Sequence, residues 1–217
     1  MNNEFLKIEY FKKFQELDHG FGSIHTAYPE DIILMKQRHT NTVFIVDSPN
    51  LNYLPVADAM LTNMKNVKLG VKTADCLPIL LYNPESVLIG VIHSGWRGIV
   101  NRVISNTIDL LKNFYNARPE HTYLAIGPSI GSCCYEVGRD VFESISSTMD
   151  TGDAFKEKTK QKWLLNLRKM AGYEITSNGV PESNIFNIDI CTRCSEDFYS
   201  YRAGKEGRQI SYITLVS

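Results

Sequence analysis

The sequence holds no run of about 18 uncharged apolar residues, so no membrane-spanning helix is expected. Its first residues, Met1-Asn2-Asn3-Glu4, lack the basic and apolar regions of a signal peptide, which points to a cytoplasmic protein. Neither charge is in surplus: 23 Lys and Arg face 24 Asp and Glu, a net charge of −1. That balance argues against nucleic-acid binding through bulk charge and leaves room for a local basic pocket. It also slightly favours self-association, so a monomer or small homo-oligomer is expected. Neither a dinucleotide-binding G-x-G-x-x-G nor a P-loop is present. Repeats, low-complexity tracts and Pro/Gly/Ser linkers are also missing, so residues 1–217 read as one domain. Cysteine is scarce and odd in number, five in all. A disulfide framework is therefore not expected, and each thiol is core filler, ligand or nucleophile.

What is present is an ordinary globular balance, 43% hydrophobic and 22% charged, over a length that buries a core without disulfides or structural metal. Apolar runs at 32–36, 43–46, 67–72, 77–82, 87–92, 124–126, 186–188 and 209–215 predict strands. The near-continuous ones suggest strands covered on both faces. Ile99, Val100, Val103, Ile104, Thr107, Ile108, Leu111 and Phe114 keep helical spacing, which predicts one amphipathic helix over 97–115. Further helices are expected at 137–146 and 163–177, and the polar stretch 148–162 reads as a surface excursion. This mixed order predicts layered α/β or α+β packing.

Three motifs stand at strand ends: Lys36-Gln37-Arg38-His39, Thr73-Ala74-Asp75-Cys76-Leu77-Pro78 and His93-Ser94-Gly95-Trp96-Arg97-Gly98. Singly, a strand-end His is commonly a hydrogen-bonded surface residue, and a free Cys is commonly buried core. Together they say more. The runs 77–82 and 87–92 form a hairpin turning through Asn83-Pro84-Glu85, and a hairpin brings its two ends together. Cys76 and His93 therefore meet at its open end. Such a pair suits two chemistries: Zn²⁺ ligation, given a third ligand, or a Cys nucleophile with a His base. Gly95 and Gly98 bracket Arg97 at a predicted helix start, where amides and a fixed cation favour an anion. The Gly-rich turn 127–138 is either a backbone-lined pocket wall or a plain connector. Adjacent Cys133 and Cys134 are not expected to share one ion, and Cys191-x-x-Cys194 lacks a second Cys-x-x-Cys to complete a tetrad.

These motifs, with Ala57-Asp58-Ala59-Met60, Gly127-Pro128-Ser129-Ile130-Gly131, Tyr135-Glu136-Val137 and Phe198-Tyr199-Ser200-Tyr201-Arg202, closely resemble the laccase-domain, polyphenol-oxidase-like family, whose members also carry the label purine nucleoside phosphorylase. The resemblance spans about 14–215. It implies an α/β/β/α sandwich with mixed sheets, and a zinc site on His39, Cys76 and His93. It also implies phosphorolysis of adenosine, inosine, guanosine or methylthioadenosine, and deamination of adenosine, with purine nucleosides and phosphate as partners. Bacterial members are further linked to peptidoglycan quality control. Two departures stand out: Ser94 replaces the usual Ala, and Ala203 stands where a second basic residue commonly follows Arg202. Lys205 and Arg208 are the nearby substitutes.

With three ligands, the zinc would keep one coordination position open. Deamination then calls for a carboxylic acid to carry a proton, and Asp75 is the first candidate, with anchoring as its other role. Phosphorolysis calls for cations around phosphate, for which Arg97 and Arg202 are the candidates, followed by Lys36 and, on the substrate, Gln37. Copper oxidation is disfavoured: five His, none in a His-x-His pair, do not furnish a type 1 site and a trinuclear cluster. Cu²⁺ would still bind N/S ligands adventitiously. The alternatives are a Cys76/His93 thiol hydrolase acting on cell-wall amides and a non-catalytic metal- or nucleotide-binding module.

Overall fold

A computed structural model describes residues 3–217; Met1 and Asn2 of the N-terminal segment lie outside the described residues. In chain order the strands are β1 (Leu17–Phe21), β2 (Ile32–Ile33), β3 (Val43–Ile45), β4 (Ala59–Thr62), β5 (Lys68–Thr73), β6 (Leu77–Asn83), β7 (Leu88–Ser94), β8 (Tyr123–Ile126), β9 (Glu136–Gly138), β10 (Phe155–Thr159), β11 (Lys162–Leu165), β12 (Ile185–Asn187) and β13 (Gln209–Leu215). The α-helices are α1 (Trp96–Val100), α2 (Val103–Tyr115), α3 (Arg139–Ser146) and α4 (Leu167–Ser177). No helix among the described residues is long and apolar enough to cross a membrane.

The largest sheet has the order β12-β8-β6-β7-β4-β3, antiparallel in its middle and parallel at both edges. A second sheet, β1-β13-β5-β2, is also mixed. Alternate residues of β6 serve two cores. Leu77, Ile79 and Leu81 pack with Ile99, Val103, Ile104, Ile108 and Leu111 of the helices. Leu80 and Tyr82 pack with Leu69, Val71, Ile213 and Leu215 of the second sheet. Burial on both faces explains why these strands read as unbroken apolar runs. The layers are thus helices, six-stranded sheet and four-stranded sheet, the layered mixed α/β packing that the alternation of elements predicts.

Several boundaries differ from expectation. The helix over 97–115 is two helices, because Arg102 adopts the left-handed conformation at φ 61° and turns the chain between α1 and α2. Residues 163–165 belong to β11, where Trp163 pairs with Val137 and stacks on Phe142. Helix α4 begins only after Asn166, whose side chain caps it by accepting the Lys169 N–H. The stretch 148–162 does lie at the surface, with β10 folding back on β11 into the small antiparallel sheet β10-β11-β9. Strand β1, with Asp18, His19 and Gly20, lacks an apolar run and was not legible.

Candidate metal centre

The β6–β7 hairpin has Pro78 opposite His93 and Leu77 opposite Ser94, which leaves Cys76 at the open end beside His93. His39 arrives from the turn after β2, held at φ 58°. One ligand atom from each of His39, Cys76 and His93 lies within 4.8 Å of the others. The two imidazole rings are 4.8 Å apart between centroids. Gly95 permits this approach: a Cβ there would stand 2.7 Å from Cys76 Sγ. Asp75 joins His39 in the left-handed region, at φ 89°. Two such residues flanking one cluster fit the clustering of backbone strain at functional sites.

Asp58 organises both histidines. Its Oδ1 is 2.8 Å from His93 Nδ1 and accepts the His39 N–H at 2.9 Å. Its Oδ2 accepts N–H groups of Arg38 and Thr40 and the Thr40 hydroxyl. Burial alone would raise the Asp58 pKa, but these bonds outweigh it and hold the carboxyl well below its usual range. With Nδ1 committed to Asp58, Nε2 is the candidate ligand atom of His93 and gives up its proton to bind a metal. Burial opposes a charge on His93, yet Cys76 and Asp58 overcome it and lift its pKa to about 9. Burial and then His93 lower the pKa of His39, so that ring favours the neutral form a ligand needs. The sequence presented Asp58 only as part of a resemblance; its signal was a lone carboxylate set in an apolar stretch.

The other expected residues are placed as follows. Asp75 is buried, and both its oxygens are engaged, by the Thr192 hydroxyl at 2.7 Å and the Arg202 N–H at 2.8 Å. Arg97 is exposed on α1, with its guanidinium 4.2 Å from the Trp96 ring, and its charge reaches His39. Because α1 has only five residues, the dipole expected of a long helix is not available there. Arg202 lies over the Tyr135 ring and donates to the Glu136 carbonyl. Lys36 is exposed, with its backbone N–H bonded to Pro55. Gln37 spends both ends of its amide on the backbone of Lys72. Lys205 is bonded to the Ser195 carbonyl and Arg208 to that of Gly207. Tyr135, unassigned from sequence, is buried beside the centre; burial and then Cys76 raise its pKa.

The remaining cysteines do not behave as expected. Cys133, Cys134, Cys191 and Cys194 bring their sulfurs within 4.8 Å of one another, so the tetrad thought incomplete is assembled from two distant pairs. A groove of about 1290 Å³ passes Cys133 and Cys191, lined also by Arg168, Lys169 and Tyr173; His39, Cys76 and His93 do not line it.

Fold and site together define a mixed α/β protein with a His–Cys–His cluster. Residues 20–216 match the family model described as multi-copper polyphenol oxidoreductase laccase, and the chain belongs to that family. It is 37% identical over 191 residues to a purine nucleoside phosphorylase of Aquifex aeolicus, covering 86% of this chain and 84% of that one. It is 32% identical over 165 residues to purine nucleoside phosphorylase YlmD of Geobacillus stearothermophilus, 74% of this chain but 60% of that protein. Adenosine deaminase RL5, from an unknown prokaryote, is 29% identical over 184 residues, 80% of this chain and 70% of its own. The crystal structure of the hypothetical protein YfiH of Bacillus licheniformis shares the fold, with a TM-score of 0.91 at 23% identity over 99% of this chain and 97% of that one.

Proposed function

We propose that this chain is a cytoplasmic, zinc-dependent purine nucleoside enzyme that carries out phosphorolysis of purine nucleosides and deamination of adenosine. The observation that carries the reading is the convergence of His39, Cys76 and His93, with His93 Nδ1 already taken by Asp58. Two imidazoles and a thiol are a donor set for zinc with one position left open. The names borne by relatives supply the substrate class.

A multicopper cluster does not fit. The other three histidines are engaged elsewhere: His19 with the Ile8 N–H, His25 with Asp197 and His121 with Glu85. No metal-ligating group among the described residues gathers more than two imidazoles.

When bound, zinc supplies a Lewis acid that activates water at neutral pH. The chain's own residues do the rest. Asp58 fixes the tautomer of His93 and the backbone of His39. Arg97 and Arg202, both exposed beside the centre, hold phosphate. Lys36, exposed on the His39 side, bounds the substrate, while Gln37, its amide spent on the Lys72 backbone, ties that segment to β5. Asp75 positions the Arg202 backbone and Thr192 through its two bonds; in deamination it would release one of them, take a proton from the attacking water and pass it to the purine as ammonia leaves.

One observation favours a second reading. Cys76, His93 and Asp58 are aligned as a nucleophile, a base and an orienting carboxylate, the arrangement of a thiol hydrolase acting on amides. Metal-defined protein assayed with adenosine and inosine, with and without phosphate, separates the two. The zinc reading expects nucleoside turnover that a chelator and Cys76→Ser abolish, with Arg97→Ala raising the KM for phosphate. Amide hydrolysis that survives the chelator, without nucleoside turnover, would overturn it.

A further inference from the structure

We propose that Cys133, Cys134, Cys191 and Cys194 form a second metal site, a tetrathiolate that binds one zinc ion and ties together two loops behind the His39–Cys76–His93 centre. The sulfur geometry fits. Cys133 and Cys134 Sγ are 3.6 Å apart, Cys133 and Cys194 3.7 Å, and Cys134 and Cys194 3.2 Å. A ZnS₄ tetrahedron with bonds of about 2.3 Å has edges of about 3.8 Å. Two tight turns deliver the sulfurs in pairs. In the first, the N–H groups of Cys134 and Tyr135 both donate to the Gly131 carbonyl; in the second, those of Cys194 and Ser195 both donate to the Cys191 carbonyl. The first turn explains how adjacent cysteines face one point.

The surroundings suit bound thiolates. Four of them on Zn²⁺ leave a surplus of negative charge, and donors on the sulfurs offset it. The Gly131 N–H donates to Cys191 Sγ at 3.2 Å, and the Arg193 guanidinium to Cys134 Sγ at 3.4 Å. Arg168 clamps both loops by donating to the Ser129 and Ile190 carbonyls. Core filling does not account for the cluster, since Cys133 and Cys194 are exposed. Four sulfur ligands and no fifth group describe a closed, structural zinc site rather than a catalytic one.

The site also has something to hold. Thr192, next to Cys191, donates to the Asp75 carboxylate, and Ile130, next to Gly131, donates its N–H to the Asp75 carbonyl. Asp75 precedes Cys76, so an ion joining the two loops fixes the backbone on which the first centre stands. Binding converts four thiols to thiolates and releases their protons to solvent.

The test does not depend on activity. In a Cys76→Ser/His93→Ala chain, which lacks the first centre, metal analysis should find one zinc per chain, and adding Cys134→Ser and Cys194→Ser should remove it. Cobalt exchanged into the double variant should show the intense sulfur-to-metal charge-transfer absorption of four thiolates. In the unaltered chain, alkylation mapped by mass spectrometry should spare these four cysteines until a strong chelator is added, which keeps the test valid if a variant fails to fold. Disulfides among the four in freshly purified protein, alkylation that ignores the chelator, or iron in place of zinc would each overturn the proposal.

Discussion

Asp58 holds His93 Nδ1 at 2.8 Å with the same oxygen that accepts the His39 N–H. Two of the three residues of the His39–Cys76–His93 cluster therefore hang on one buried atom. Asp58→Asn leaves a single acceptor oxygen and adds a donor: with the oxygen kept on His93 and His39, the new NH2 confronts the N–H groups of Arg38 and Thr40, and with the amide turned over both histidines lose their acceptor. Zinc affinity should fall about 10–100-fold, the usual effect of losing a carboxylate behind a ligating His. Competition against a chromophoric chelator reads this directly, and an unchanged affinity would remove Asp58 from its organising role.

Gly95 is not a ligand, yet Gly95→Ala should empty the centre. Its φ of −93° is open to any residue, so backbone strain is not the cause. The new methyl would meet Cys76 Sγ at 2.7 Å and His39 Nδ1 at 3.5 Å. Zinc content should drop well below one equivalent at this centre while the circular dichroism spectrum stays the same.

Ser94 should be improved by the residue more usual at its position. Its hydroxyl is buried and has no hydrogen-bond partner among the described residues. Ser94→Ala removes that orphan and should raise stability by about 1 kcal/mol. The urea midpoint should rise with metal content unchanged; a loss of stability would mean that the hydroxyl has a partner.

Acid should weaken the fold through His19. This ring is buried and accepts the Ile8 N–H on Nε2; burial, then Lys7, lowers its pKa to about 4. The unfolded imidazole takes its proton near pH 6.5, so the stabilisation is complete above that value and drains away as pH falls toward 4. The group accounts for about 3 kcal/mol over this window. His19→Gln keeps an acceptor without the titration, and its urea stability should fall less steeply between pH 7 and 4.

The sequence yielded the hairpin and the meeting of Cys76 and His93 at its open end because both rest on short-range rules: apolar runs, a turn, and residues that a hairpin must bring together. His39 needed the resemblance, since nothing local predicts that the turn after β2 folds over Cys76. The cysteine tetrad was missed because its pairs are far apart in sequence and only the packed loops join them. The break at Arg102 was hidden by a helical periodicity that continues on both sides of it. Asp58 was visible as an acid in apolar company, but its role depends on four N–H or N partners drawn from other segments.

Strand β6 turns Leu77, Ile79 and Leu81 to one core and Leu80 and Tyr82 to the other, and its pairing sets Pro78 against His93. A slip of one residue would exchange the two apolar sets and carry Cys76 about 3.3 Å along the strand. Misregistered packing and a lost ion are then a single event. With zinc bound at His39, Cys76 and His93 as proposed, its capture would be a proofreading step: a chain that holds its ion would thereby report that its central hairpin zipped up in the right frame.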